Sequence, residues 1–289
     1  MVFGLAVLVA LPFLVWTGIR LAGRDSAPTF TTDDPGVSHV HGLGVNPADG
    51  SVYVATHYGT FRLTDDGKAK RVGESYQDTM GFTVAGPDRF LGSGHPDTEG
   101  FRRGQPPRLG LIESTDSGKD WRSLSLSGEV DFHALAAAHG RVYGWDSTSG
   151  RFMVSADQRT WETRSTRPLL SFAVDPTTPD HIVAAAPEAV LDSSDGGRTW
   201  RPVAAPPVMT LSWDRTGGLV GAQEDGTVHR SGDGGASWTR VGSLPGSPQA
   251  LLATDKVLYA AAHDREGTTG IYRSVDAGRT WTLIYRDRP

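Results

Sequence analysis

Ser193-Ser-Asp-Gly-Gly-Arg-Thr-Trp200 is the stretch on which the fold turns. Its frame, Ser-x-Asp-x-Gly-x-x-Trp, returns as Ser114 to Trp121, Ser231 to Trp238 and Ser274 to Trp281. Ser155 to Trp161 is the same frame shortened by one residue, and Thr64-Asp65-Asp66-Gly67 is a worn copy without the tryptophan. Ser and Asp side chains bond readily to the backbone of a tight turn, and Gly supplies a backbone shape that other residues resist. The indole that follows is a large apolar group able to pack between neighbouring sheets. An apolar run precedes each copy and a short one follows it.

Outward from the frame, the chain divides into six units starting near residues 38, 77, 130, 168, 207 and 247. Each reads as four short strands. In the fourth unit these are 169–174, 182–186, 189–192 and 199–203, the last lying beyond the turn. Units of this kind, about 40 residues long, describe a propeller blade. The expectation is an all-β, six-bladed β-propeller of four-stranded antiparallel blades over residues 38–289, preceded by one N-terminal hydrophobic helix. The second unit carries an insertion from Pro96 to Arg108.

The repeat resembles the Asp-box, or BNR, repeat of sialidases, sortilin and related propellers. That resemblance implies a structural turn between the third and fourth strands. It makes Asp116, Asp157, Asp195, Asp233 and Asp276, with Trp121, Trp161, Trp200, Trp238 and Trp281, fold-forming residues. The whole chain also looks like bacterial Asp-box proteins commonly labelled glycosyl hydrolase. The stretches that carry this are His39-Val-His-Gly-Leu-Gly, Asp78-Thr-Met-Gly-Phe-Thr-Val and Ser93-Gly-His-Pro-Asp97. A sialidase would be expected to carry Arg-Ile-Pro and an arginine triad. Neither is found, since Phe61-Arg62-Leu63 falls on the wrong strand and Arg102 and Arg103 share one loop.

The first 25 residues are a different kind of chain. Val2 to Ile19 is apolar and uncharged, followed by Arg20 and Arg24. At about 1.5 Å per residue such a run just spans a hydrocarbon core of roughly 30 Å. Residues 1–24 are expected to be a membrane anchor, or else a cleaved signal segment, with 25–37 as a linker. The propeller is then expected on the extracytoplasmic side, membrane-anchored, or secreted if the segment is cleaved. The 289 residues hold no cysteine, which excludes disulfides, thiolate catalysis and Cys-ligated metal. The net charge is −5 and no basic stripe appears, which argues against a nucleic-acid partner. A protein partner or a glycan on the top face remains open.

Aligning the units by strand brings out the histidines. Three second-strand segments end in histidine at one position, as Gly50…His57, Asp88…His95 and Lys256…His263. They belong to units one, two and six, which a closed ring makes neighbours. On the first strand, His39, Asp78 and Asp131 share one level, and His41, Met80 and His133 the next. Units four to six place Pro168 and Leu170, Pro207 and Met209, and Ser247 and Gln249 at these two levels. Antiparallel pairing puts the start of the first strand and the end of the second at the same end of a blade. His39, His41, His57, His95, His133 and His263, with Met80 and Asp78, should therefore gather at one mouth of the central funnel and supply three or four ligands to one ion.

Imidazole with thioether favours copper; imidazole with carboxylate suits zinc or iron. Ligation needs neutral imidazole, so affinity is expected to fall as the pH drops through about 6.5. Asp78 and Asp131 are also the candidate pair for a glycoside hydrolase at the same face. A small organic ligand, a metal-dependent oxidoreductase and a protein-assembly scaffold are further readings. His139, His181 and His229 fall in turns or outer strands and carry no functional expectation.

Overall fold

A computed structural model describes residues 36–287. The hydrophobic helix and most of the linker expected at the N-terminus lie outside the described residues. Among those described, no helix is long and apolar enough to cross a membrane.

The chain forms six four-stranded antiparallel sheets, each built from four consecutive strands. The first strands of the six blades are Val40–Val45, Asp78–Gly86, Phe132–Ala138, Ser171–Val174, Val208–Trp213 and Ser247–Ala253. Each contacts the first strand of the next blade, and Ser247–Ala253 contacts Val40–Val45, which closes the ring. These strands are the innermost of their blades. The fourth-blade strands differ slightly from the sequence expectation. The inner strand begins at Ser171 and the outer one is only Arg201–Pro202, because Pro202 has no N–H to extend the ladder.

The repeated turn is a closed set of hydrogen bonds. In the fourth blade Ser193 Oγ donates to Asp195 Oδ1 at 2.8 Å and accepts from Gly197 N at 2.8 Å; Asp195 Oδ1 accepts from Thr199 N at 2.9 Å. The same links recur around Asp116, Asp233 and Asp276. The shortened copy keeps the scheme with Gln158 in place of the glycine, at φ 63°. The indoles then reach the spaces between blades. Trp200 packs on the cluster of Tyr143, Phe152, Phe172 and Ile182, meeting the Phe152 ring edge-on at 5.5 Å. Trp121 does the same beside Tyr53, Phe82 and Phe90. The cores therefore lie between sheets, where each fully buried aromatic or aliphatic side chain stabilises by about 1.5–3 kcal/mol.

The second strands that matter for the site are Val52–Thr56, Arg89–His95, Arg141–Asp146 and Leu258–His263. Their C-terminal ends open onto the mouth opposite the repeated turns. The insertion in blade two forms a short helix, Thr98–Arg102, capped by Asp97.

Candidate metal centre

The inner strands share a defect at the mouth. In blades one, two, three, five and six the ladder skips one residue, leaving His41, Met80, His133, Met209 and Gln249 as the extra residue of a β-bulge. A bulge re-aims the extra side chain and strengthens the local twist. The second level read from the sequence is thus a ring of bulge residues, not a simple alternation along a flat strand. His39, one level out, has φ 49°, in the left-handed region. Such a backbone costs about 1–2 kcal/mol in a non-glycine residue.

His39, His41 and His57 gather at the mouth, their ligand atoms within 4.8 Å of one another; this group can hold a metal ion. His39 stacks on His57 with ring centroids 4.8 Å apart, and His41 meets His57 edge-on at 4.5 Å. Asp78 of blade two closes one side. His41 Nε2 lies 3.3 Å from His57 Nδ1 and 3.4 Å from Asp78 Oδ1, and His57 Nδ1 lies 3.0 Å from Asp78 Oδ2. Ligands about 2.0–2.1 Å from a tetrahedral ion sit about 3.3–3.4 Å from one another. His41 Nε2 and His57 Nδ1 are spaced as two ligands of one ion would be, and each also lies at hydrogen-bonding distance from a different Asp78 oxygen. A span of 4.8 Å exceeds the widest separation one ion allows, about 4.2 Å at these bond lengths, so an ordinary rotamer adjustment of His39 completes the set.

His263 lies behind His39, ring centroids 5.6 Å apart. Gln249 joins them, its amide nitrogen 3.2 Å from His39 Nδ1 and 3.0 Å from His263 Nε2. Turned the other way, its carbonyl oxygen would accept their N–H groups and leave the opposite ring nitrogens free to ligate, as outer partners of metal-binding histidines do. Gln249 sits at the second aligned level of unit six, the unit that also supplies His263.

The remaining polar residues form a second group around Asp131. His133 Nε2 is 2.8 Å and His95 Nε2 3.4 Å from Asp131 Oδ2, to which Ser147 Oγ also donates at 3.1 Å. His95 Nδ1 donates to the Pro107 carbonyl at 2.7 Å, which ties the insertion to the mouth. One rule relates the groups: the histidine ending a second strand meets the first-level residue of the following blade. His263 thus faces His39, His57 faces Asp78, and His95 faces Asp131. The structure places the candidate residues in two adjoining groups, not in the single group that the aligned sequence predicts. Met80 stands at the bulge between them.

The electrostatics of the groups differ. Burial, then the neighbouring imidazoles of His41, His57 and His263, lower the His39 pKa to about 4. Burial also lowers that of His41, against the opposing pull of Asp78. Both rings are neutral at pH 7, the state that ligates. The window in which protons compete for these two rings therefore lies below the 6.5 expected from ordinary imidazole. Burial works against the Asp78 carboxylate, but the His41 and His57 rings beside it win and hold its pKa at about 2. Asp131 is likewise held below the carboxylate range by His133 and His95 despite its burial. Asp131 in turn raises His95 to about 9.

The other histidines lie elsewhere. His139 bonds to the Asp175 carbonyl from a turn, and His181 is clasped by Asp175 at 2.8 Å and Asp192 at 3.0 Å. His229 belongs to a third strand, Thr227–Ser231.

No family model matches the chain. Among curated proteins, the dispase autolysis-inducing protein of Streptomyces mobaraensis is 29% identical over 97 residues, which are 32% of this chain. The match takes in 25% of that relative's own length. Among solved structures, a chain of the nidogen/laminin complex superposes with a TM-score of 0.63 at 12% identity, covering 80% of this chain and 91% of that one. An ancestral GH74 enzyme gives 0.53 at 14% identity, covering 91% of this chain and 40% of that one. YCF48 from Cyanidioschyzon merolae gives 0.52 at 17% identity, covering 88% and 86%. What the chain shares with these structures is the β-propeller fold.

Proposed function

We propose that the protein is an extracytoplasmic propeller that binds a transition-metal ion at the mouth of its funnel, through His39, His41 and His57 with Asp78 beside them. The observation that carries this is the set of 3.0–3.4 Å spacings among His41 Nε2, His57 Nδ1 and the Asp78 oxygens. Copper is the favoured ion. The donors are mainly imidazole nitrogens, and among first-row divalent ions Cu²⁺ binds such sites most tightly; zinc or iron fits next. Placement outside the cytoplasm rests on the apolar run from Val2 to Ile19. Recovering the chain only from the cytosolic fraction of native cells would remove that part of the proposal.

The two-carboxylate hydrolase reading is weaker. A glycosidase needs one carboxyl that stays protonated to act as general acid. Asp78 and Asp131 are both held ionised by the histidines around them. Protein docking draws some support from Phe101, which is 61% exposed on the inserted helix between Glu99 and Arg102.

Titration of the untagged protein with Cu²⁺ and Zn²⁺ tests the metal reading. His41→Ala/His57→Ala should weaken binding by more than about 100-fold, above the 10–100-fold typical of losing an outer partner. The circular dichroism spectrum should be unchanged. Equal affinity in wild type and double variant would place the ion elsewhere.

A further inference from the structure

The Asp131 group repeats the build of the first site, one blade further round. Each sets two imidazoles against one carboxylate, His41 and His57 at Asp78 and His95 and His133 at Asp131; the first site adds His39. In each, the histidine comes from the end of a second strand and the aspartate from the next blade, His57 with Asp78 and His95 with Asp131. A second likeness is independent of provenance. Among the described residues, only two carboxylate oxygens are buried without any hydrogen-bond partner, Asp78 Oδ1 and Asp131 Oδ1. The Asp131 side chain is 7% exposed.

The hydrogen bonding at Asp131 is lopsided. Oδ2 faces His133 Nε2, His95 Nε2 and Ser147 Oγ, while Oδ1 is buried and bare. Buried carboxylate oxygens are almost always partnered, because leaving one without a donor or cation costs a large part of its lost hydration. The tautomer of His95 sharpens the point. A carbonyl oxygen only accepts, so Nδ1, at 2.7 Å from the Pro107 carbonyl, carries a hydrogen. In the neutral ring Nε2 is then a lone pair aimed at an anionic oxygen. Without metal a proton lies between them, held there by Asp131, and a bound ion would take its place. A backbone carbonyl fixing one ring nitrogen so that the other can ligate is the usual arrangement behind a metal-bound histidine.

We propose that His95, His133 and Asp131 hold a second divalent transition-metal ion, making the mouth a two-ion centre. Two imidazoles and a carboxylate favour zinc, iron(II) or manganese more than the imidazole-rich first site does. The inference goes beyond the first site and stands separately from it.

Zinc stoichiometry tests it. The full, untagged chain is stripped with chelator, dialysed against Zn²⁺, and its bound zinc measured by elemental analysis. Two equivalents are expected for the wild type. One is expected for His95→Ala/His133→Ala, and one for His41→Ala/His57→Ala. Should the first double variant fail to fold, His133→Gln keeps the side-chain bulk and should still lower the content from two to one. A wild type holding one equivalent, unchanged in the His95 and His133 variants, overturns the second site and leaves the first standing. A wild type that holds one equivalent and loses it in the His95 and His133 variants alone would keep this site and show that the first takes no zinc, leaving it to the copper titration. A wild type that takes up no zinc overturns the second site.

Discussion

Replacing Asp78 by Asn keeps the shape of the side chain and removes its charge. His41 Nε2 and His57 Nδ1 lie 3.4 and 3.0 Å from the carboxylate oxygens, so the change strips negative charge from the coordination shell itself. Affinity for Cu²⁺ should fall at least about tenfold in a calorimetric titration, and the metal-free protein should lose some thermal stability at neutral pH, because the interactions that hold the Asp78 pKa at about 2 go with the charge. Unchanged affinity would make Asp78 a bystander. Trp200 offers the contrasting case. Its indole packs on the core between blades three and four and bonds Ser165 Oγ at 2.9 Å. Trp200→Ala should cost about 3 kcal/mol in urea unfolding, while metal affinity per folded molecule stays the same. At this scale much of the site was legible in sequence, because histidine repeats at aligned strand ends are visible without coordinates. Gln249 was not. A lone amide at an aligned position gives no chemical signal until its two imidazole neighbours, 210 and 14 residues away in the chain, are brought to it.

At the scale of the element, the repeated turn and the bulge do different work. The residue between Asp and Gly of each full turn has positive φ: Ser117 at 64°, Gly196 at 71°, Gly234 at 72° and Ala277 at 61°. Two copies already use glycine there. Ala277→Gly should therefore stabilise the protein by about 0.5–1 kcal/mol in denaturant unfolding, the relief of left-handed strain outweighing the extra freedom glycine gives the unfolded chain. A loss of stability would mean that the alanine methyl makes packing contacts that matter. The turns, the four-strand units and the count of six were readable from the repeat. The bulges were not, because an extra residue in a ladder shows only when the partner strand is in register. They set the level at the mouth alike, His41 and His133 each being the extra residue of a bulge; the two fall in different groups because their blades meet different carboxylates, Asp78 and Asp131.

For the whole molecule, the two groups impose opposite pH dependences on the metal-free protein. His39, lowered to about 4, and His41 bind protons more readily when unfolded. Their contribution is complete above about 6.5 and is lost as pH falls towards the folded values. His95, raised to about 9, binds its proton more tightly when folded. Its contribution is complete below about 6.5 and is lost as pH rises through 9. Stability of the metal-stripped protein should therefore peak near pH 6.5 and decline on both sides, as read from urea midpoints across the range. A midpoint that climbs steadily from pH 6.5 to 9 would contradict the pairing of His95 with Asp131. Metal should stabilise as well: an ion present at 100 times its dissociation constant adds about 2.7 kcal/mol, seen as a higher Tm.

The proposed ion sits among His39, His41 and His57. Crystals soaked in Cu²⁺ and measured at the copper absorption edge test it most directly, since the anomalous signal locates the ion without assumptions about ligands. A peak is expected at the funnel mouth about 2.0–2.1 Å from His41 Nε2 and His57 Nδ1, with a His39 nitrogen turned towards it. Copper found only at surface sites, with those three rings unmoved and no density between them, would contradict it.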